Sequence, residues 1–556
     1  MDAVFCVWRE SLKAGVWFIA AVFLGGVLLG AGALLGGEAL PAASALPSAD
    51  AKNLQPLESR QLAERIDEYF VRYWQASSVV PAPRADDAEF LRRAYLDLVG
   101  KIPTVAEVRA FVGDTNATKR AELVDALLKR GACATHFANT WRGILLAGAA
   151  DSPETRFLVP RLETWLKLRF AANAPYDQIA RELLTATLND NPQRAILSMD
   201  GAPDPLAFYQ AAERKPEQLA ASTSRVFLGV QVQCAQCHDH PRAHWTRQNF
   251  WSYAAFFADL DRSTDDSRSA SGVISIKIPE TETTVAAMYL DGSTPKFQPA
   301  ESRRRALVRW LTADENRWFA EAAVNRVWEQ LLGRGLVDPV DDLEADSAAE
   351  HAQLRQLLAQ QFRLQRYDLQ YLVRAITASR VYQLSSRSHT DKAPDRRHFA
   401  CMPLRRMTGE QLFDSLVQAT GTREAPVARG RAAVFSDAES MRAAFQQKFS
   451  DTSVARTEAE TTILQALSLM NGKIVTDATD LKTSETLGAV ANAPFLDTRA
   501  KVETLFLATL SRHPTIGESA QFVAYVEKGG PSKNADGALA DVFWALLNCA
   551  EFSLVH

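Results

Sequence analysis

The chain has 556 residues, 47% of them apolar and 23% charged, with a net charge of −4. That length supplies roughly two to four domains, each able to bury its own core. The near-neutral balance excludes a global basic field, so no nucleic-acid partner is expected. Six cysteines in so long a chain exclude a disulfide scaffold.

Arg9 and Lys13 precede an uncharged run of 24 residues, Ala14 to Gly37. A helix needs about 20 residues to cross a bilayer. The positive flank comes first, which places the rest of the chain outside the cytoplasm. Residues 1–13 therefore read as a cytoplasmic N-terminus and 14–37 as a single-pass anchor in the inner (cytoplasmic) membrane. The bulk of the chain is then on the periplasmic side. Ala43-Ser44-Ala45 resembles a signal-peptidase site, and cleavage there would export the same residues. Residues 38–56 are rich in Ala, Pro and Ser and read as a flexible linker.

Residues 57–262 carry a helical pattern. Leu62, Ile66, Tyr69, Phe70 and Tyr73 share one face. Asp86-Asp87 opens a second helix, closed by Gly100 and Pro103. Thr104 with Glu107 forms a capping box for the next. Helical stretches follow at 117–129, 137–146, 160–172 and 176–187. Pro216 starts another helix, and Thr246 caps a last one carrying Phe250, Trp251, Phe256 and Phe257.

Between these two helices lies Cys234-Ala-Gln-Cys237-His238-Asp-His240-Pro-Arg-Ala-His244. Cys-x-x-Cys-His is the attachment pattern of c-type haem. Two thiols three residues apart reach the two vinyl groups of one porphyrin, and the adjoining imidazole becomes an axial ligand. Under that reading Cys234 and Cys237 hold haem c and His238 ligates its iron. A sixth ligand would be His240, Met402 or Met407, or the position is open. Two other chemistries suit the same residues. Cys234, Cys237, His240 and His244 form a legitimate Cys2His2 set for zinc. An exported Cys234–Cys237 pair also oxidises readily to a disulfide, with His238 and His240 then serving the fold. Cys133, Cys401 and Cys549 are isolated and read as inert thiols.

Arg93-Ala-Tyr-Leu-Asp-Leu-Val-Gly-Lys-Ile-Pro-Thr104 and Phe227-Leu-Gly-Val-Gln-Val-Gln-Cys-Ala-Gln-Cys-His-Asp-His-Pro241 resemble the planctomycete family PSCyt2, a domain of unknown function (DUF1549). Residues 263–300 change character. Val273 to Ile278 is β-branched and predicts a strand, with Thr281 to Leu290 to pair with it and Asp291-Gly292 as a turn. Residues 301–556 return to a helical pattern. Val324-Asn-Arg-Val-Trp-Glu-Gln-Leu-Leu-Gly-Arg-Gly-Leu-Val337, Ala378-Ser-Arg-Val-Tyr-Gln383, Arg406-Met-Thr-Gly-Glu-Gln-Leu412 and Leu546-Leu-Asn-Cys-Ala-Glu-Phe552 are similar to the family PSD1 (DUF1553). The resemblance implies the order PSCyt2 then PSD1. Many relatives add a separate cytochrome c-like domain, whereas this chain has no second Cys-x-x-Cys-His. Its Ser347-Ala-Ala-Glu-His-Ala352 also replaces the usual Pro-Pro-Ser-His-Pro stretch.

Asn325-Arg326, inside an apolar helix, reads as a buried pair satisfying loop carbonyls. Arg405-Arg406 reads as a solvated helix start. The expected whole is mainly α: two helical domains with a small antiparallel β element between them, behind one transmembrane helix. The leading function is an exported, membrane-anchored electron-transfer protein with a redox partner in the cell envelope. The contrasting readings are a non-redox binding or scaffold protein with a structural Cys/His site, and a metal-dependent envelope enzyme acting on carbohydrate.

Overall fold

A computed structural model describes residues 55–188, 202–260, 275–299, 301–388, 395–422 and 463–556, apart from 148, 150–151, 242, 259 and 346–348, together with parts of 442–449. The anchor at 14–37 and most of the linker lie outside the described residues. Among the described residues, no helix is long and apolar enough to cross a membrane.

Helices dominate, and their ends follow local chemistry. The Ser59–Ala76 helix opens on a Glu58/Gln61 capping box and buries Leu62, Ile66, Tyr69, Phe70 and Tyr73. Asp86 caps the Asp87–Leu98 helix by accepting the Glu89 N–H at 2.8 Å. Thr104 and Glu107 form the expected box ahead of Val105–Gly113. One helix starts earlier than the sequence predicts. It spans Gly131–Leu146 rather than 137–146, and Arg130 before it makes no side-chain cap bond. With neither a capping residue nor an apolar repeat in Gly131-Ala-Cys-Ala, the first turns carry no local signal; packing of Cys133 and Ala134 into the core settles them.

The small sheet forms where expected. Ser275–Lys277 pairs antiparallel with Thr284–Ala286, Ile276 opposite Val285. Asp291-Gly292 turns the chain beyond it, the Asp291 carboxylate accepting the Ser293 N–H at 2.8 Å. A second strand pair is unforeseen: Arg405–Arg406 joins Leu554–Val555. This corrects the reading of Arg405-Arg406 as a solvated helix start. Both side chains are buried, at 1% and 6% exposure, because the strand crosses the interior.

Among the described residues two large hydrophobic cores result, with a third small cluster of Ala322, Val337 and Leu343. The larger takes in residues from Leu62 to Met402 together with Leu507, and crosses the strand pair at 275–286. Phe70 stacks on Trp328 with ring centres 6.0 Å apart, and Tyr176 on Phe319 at 5.0 Å. The first soluble region thus shares its interior with the Arg317–Leu332 helix of the second. Each fully buried aromatic of this kind contributes about 1.5–3 kcal/mol of transfer free energy. The smaller core gathers residues 407–555 with Leu96 and Ile102.

The Asp87–Leu98 helix ties the two cores together through charge. Arg92 donates to the carbonyls of Thr509 (2.9 Å) and Phe552 (2.8 Å). Arg93 donates to Tyr382 and Leu384 carbonyls and pairs with Glu89 at 2.8 Å. Asp97 accepts from Arg405 at 2.9 Å and from the Tyr382 hydroxyl at 3.0 Å. Buried guanidinium groups are tolerated here because carbonyls and carboxylates replace their water.

Candidate functional site

The loop bearing the thiols is aimed by a change of helical pitch. The Pro216–Thr223 helix widens into a π turn at Ser224–Leu228, all but Arg225 buried. Gly229 stops it in the left-handed region, at φ +61°. A Cβ there would stand 2.9 Å from Leu343 Cγ, so only glycine suits both the dihedral and the contact. Val230 and Val232 stay buried, and the chain then surfaces.

A single 3₁₀ turn follows at Gln233–Gln236, with Cys237 as its C-cap. Side chains three residues apart eclipse in a 3₁₀ helix, so Cys234 and Cys237 share one face. Ala235, on the opposite side, is fully buried. Both cysteines are free thiols and exposed. The structure therefore presents both cysteines to solvent on an anchored turn. Their backbone is pinned from below, where the Trp251 indole N–H donates to the Gln236 carbonyl at 3.0 Å. Beyond the turn, Asp239 accepts the Arg247 N–H at 2.8 Å and the His240 N–H reaches the Trp245 carbonyl at 2.8 Å. Thr246 caps the Arg247–Ala254 helix, as its sequence predicts.

The three histidines are not equivalent. His238 places Nδ1 2.8 Å from the Asp239 carbonyl, a group that can only accept. Nδ1 therefore carries the proton, and Nε2 keeps a free lone pair. His240 is the reverse case. Its Nδ1 accepts the Ala243 N–H at 2.9 Å, so the neutral ring carries its proton on Nε2. His244 is two-thirds exposed, stacks on Trp245 at 4.1 Å and stands 3.8 Å from a Glu344 carboxylate oxygen. Of these three rings, His238 is the one whose Nδ1 is tied to a carbonyl. Among the described residues, no three His, Cys, Asp or Glu side chains converge as a metal requires, so the zinc set is not gathered. Met402 and Met407 are enclosed in the two cores. His240 would have to release the Ala243 N–H to serve as a sixth ligand.

The haem reading calls for an apolar space beside His238. The cavities at Lys101 and at Cys133 are lined by no described residue of 232–245. Cys234, Cys237, His238 and Asp239 are all exposed, so a haem attached here would keep much of its edge in water.

The acidic segment of the second region packs against this loop, which sequence reasoning missed. Leu343 donates to the Gly229 carbonyl at 2.7 Å, and Gln231 donates to Asp341 at 2.9 Å. Arg225 lies 3.8 Å from Asp341. The available signal was charge: an Arg and several His in one segment, a run of Asp and Glu in another. Asn325-Arg326 follows its expected structural role. Asn325 bonds the carbonyls of Val337 and Val340, and Arg326 those of Arg225 and Val226. His351, at the departure from the Pro-Pro-Ser-His-Pro pattern, is buried and bonds the Tyr69 hydroxyl and the Arg397 carbonyl, each at 3.0 Å.

Residues 65–262 match the family profile PSCyt2, a protein of unknown function (DUF1549). Residues 303–526 match PSD1, a protein of unknown function (DUF1553). Neither a curated protein nor a solved structure matches the chain.

Proposed function

The chain joins a PSCyt2 (DUF1549) domain to a PSD1 (DUF1553) domain, and we propose that it is an electron-transfer protein of the cell envelope holding haem c on the Cys234–His238 turn. Cys234 and Cys237 would carry the two thioether links, and His238 Nε2 the axial bond. When bound, the group would supply one-electron chemistry at its iron. The observation that carries this reading is the placement of two free, exposed cysteines three residues apart beside a histidine whose Nδ1 is tied to a carbonyl. A metal-ligating histidine is commonly oriented by such a bond, which also raises the basicity of the other nitrogen.

This chain's own residues then have separate tasks. Asp239 fixes the His238 ring through its carbonyl and the following helix through its carboxylate. Trp251 holds the turn against the core. Exposure of the turn leaves the group within reach of a partner protein in the envelope. The membrane-anchored, periplasmic placement belongs to the same proposal, since thioether attachment takes place on that side.

Expression of the full chain in a host that matures c-type cytochromes tests the reading. The expected result is a reduced absorption spectrum of haem c, and haem staining that survives denaturing electrophoresis. Cys234→Ser combined with Cys237→Ser abolishes the staining, while His240→Ala retains it. A folded, colourless wild-type protein would instead return the loop to a structural role in a binding or scaffold protein.

A further inference from the structure

The loop between the Val105–Gly113 and Lys119–Leu128 helices carries Asp114-Thr-Asn-Ala-Thr118. Asn116-Ala117-Thr118 is the one Asn-x-Ser/Thr triplet in the 556 residues. Such a triplet is the acceptor signal for an N-linked glycan when it lies on the surface of an exported protein. The triplet alone is common, so its place in the fold decides.

The loop is within reach. Residues 113–118 are all exposed, and 114–116 belong to neither helix. A transferase has to draw the asparagine into its own site, which the bonded backbone of a helix or a sheet would oppose. The base of the loop is held separately. The Lys119 ammonium donates to the carbonyls of Phe111 at 3.0 Å and Asp114 at 2.6 Å. The tip can therefore be handled while the helices on either side stay folded.

The two groups that the signal requires already meet. Asn116 Oδ1 accepts the Thr118 N–H at 3.0 Å, and the Thr118 hydroxyl lies 2.8 Å from the same oxygen. The nucleophile is the Asn116 amide nitrogen, Nδ2. It donates to the Glu122 carboxylate at 3.1 Å, a bond between two exposed side chains that water replaces readily. Asp114 adds an exposed carboxylate two residues ahead, one oxygen of which accepts the Asn116 N–H at 2.8 Å. That charge offers a basic transferase site a further point of recognition.

We propose that Asn116 is an N-glycosylation site, its Nδ2 receiving one oligosaccharide from a lipid-pyrophosphate donor in the periplasm. The bond from Nδ2 to the anomeric carbon forms as the bond from that carbon to the pyrophosphate oxygen breaks. The pyrophosphate leaves with the bonding pair, one Nδ2 proton passes to a carboxylate of the transferase, and nothing is oxidised or reduced. The proposal rests on the periplasmic placement made above and not on what the thiol loop holds.

Two experiments on the full-length protein test it. In the first, the purified folded chain is incubated in detergent with a bacterial oligosaccharyltransferase and its lipid-linked oligosaccharide, then followed by intact mass and glycopeptide mapping. The expected result is the addition of one oligosaccharide, on the peptide that contains Asn116. Asn116→Gln and Thr118→Ala should lose it, Thr118→Ser should keep it, and Asp114→Ala should lower its yield. Thr118 makes no cap bond to the helix that follows, so its replacement spares the fold, and unchanged thermal melting of each variant checks this. A wild-type chain that stays at its bare mass, or an Asn116→Gln chain modified as fully as the wild type, overturns the proposal and leaves Asn116 as the turn residue of its loop. In the second experiment the same transferase and donor are supplied in the periplasm of the expressing host, where the same single addition is expected. A chain modified in detergent but bare in that host overturns the periplasmic placement, and with it glycosylation in the cell, whereas failure in detergent counts against Asn116 itself.

Discussion

Single protons and single charges decide much of this molecule. At the thiol loop, two neighbouring histidines are set to opposite tautomers by a carbonyl and an N–H only a few atoms away. His351 illustrates the energetic side. Burial pushes it down from its ordinary 6.5 to about 4. Between those values the unfolded chain binds the proton and the folded chain does not. The stability that rests on neutral His351 is therefore complete above about pH 6.5 and is lost as the pH falls toward 4. The expected loss is about 3 kcal/mol. Asp67 has the opposite slope in the same window, because burial raises it to about 6. The clean measurement is the difference between wild type and His351→Gln by urea unfolding. That difference should shrink from pH 7 to pH 4; a difference independent of pH would refute the assignment. The Arg405–Asp97 pair gives a second prediction. Asp97→Asn leaves a fully buried guanidinium without its counter-charge and should cost about 3–5 kcal/mol. Exchanging both residues, Asp97→Leu with Arg405→Met, should recover much of that.

At the scale of the element, the thiol loop works because three kinds of turn succeed one another. The π turn, the left-handed Gly229 and the 3₁₀ turn rotate the chain from the core to the surface within fourteen residues, Ser224 to Cys237. Gly229→Ala adds a Cβ to a left-handed backbone and brings it against Leu343. A destabilisation of about 1–3 kcal/mol is expected, with weakened attachment at Cys234. Leu343→Ala in the same chain relieves the contact but not the dihedral, so it should restore only part; full restoration would assign the whole effect to packing. Helix starts at Asp86, Thr104 and Thr246 were legible from their capping residues, whereas those at Ser484, Asp497, Thr515 and Asn534, capped in the same way, were not read. The Gly131 start and the Arg405–Arg406 strand were not legible, since tertiary burial rather than local chemistry decides both. The π turn likewise has no pattern of its own in the sequence.

Across the whole molecule, the sequence boundaries near 262 and 301 mark a change of pattern, but the larger core passes through them. Aromatic pairs such as Phe70–Trp328 join residues far apart in sequence, and periodicity carries no information on such distances. The same limit hid the acidic segment that lies against the thiol loop. The Cys234, Cys237 and His238 cluster was legible because its spacing is local; the opposite tautomers of His238 and His240 were not, because those depend on backbone partners. Intact-mass measurement of the mature full-length protein, made where c-type haem is attached, tests the central claim most directly. The account predicts the polypeptide mass plus one haem, reverting to the bare polypeptide when Cys234 and Cys237 are both serine. A fully matured wild-type protein with the bare mass would contradict it.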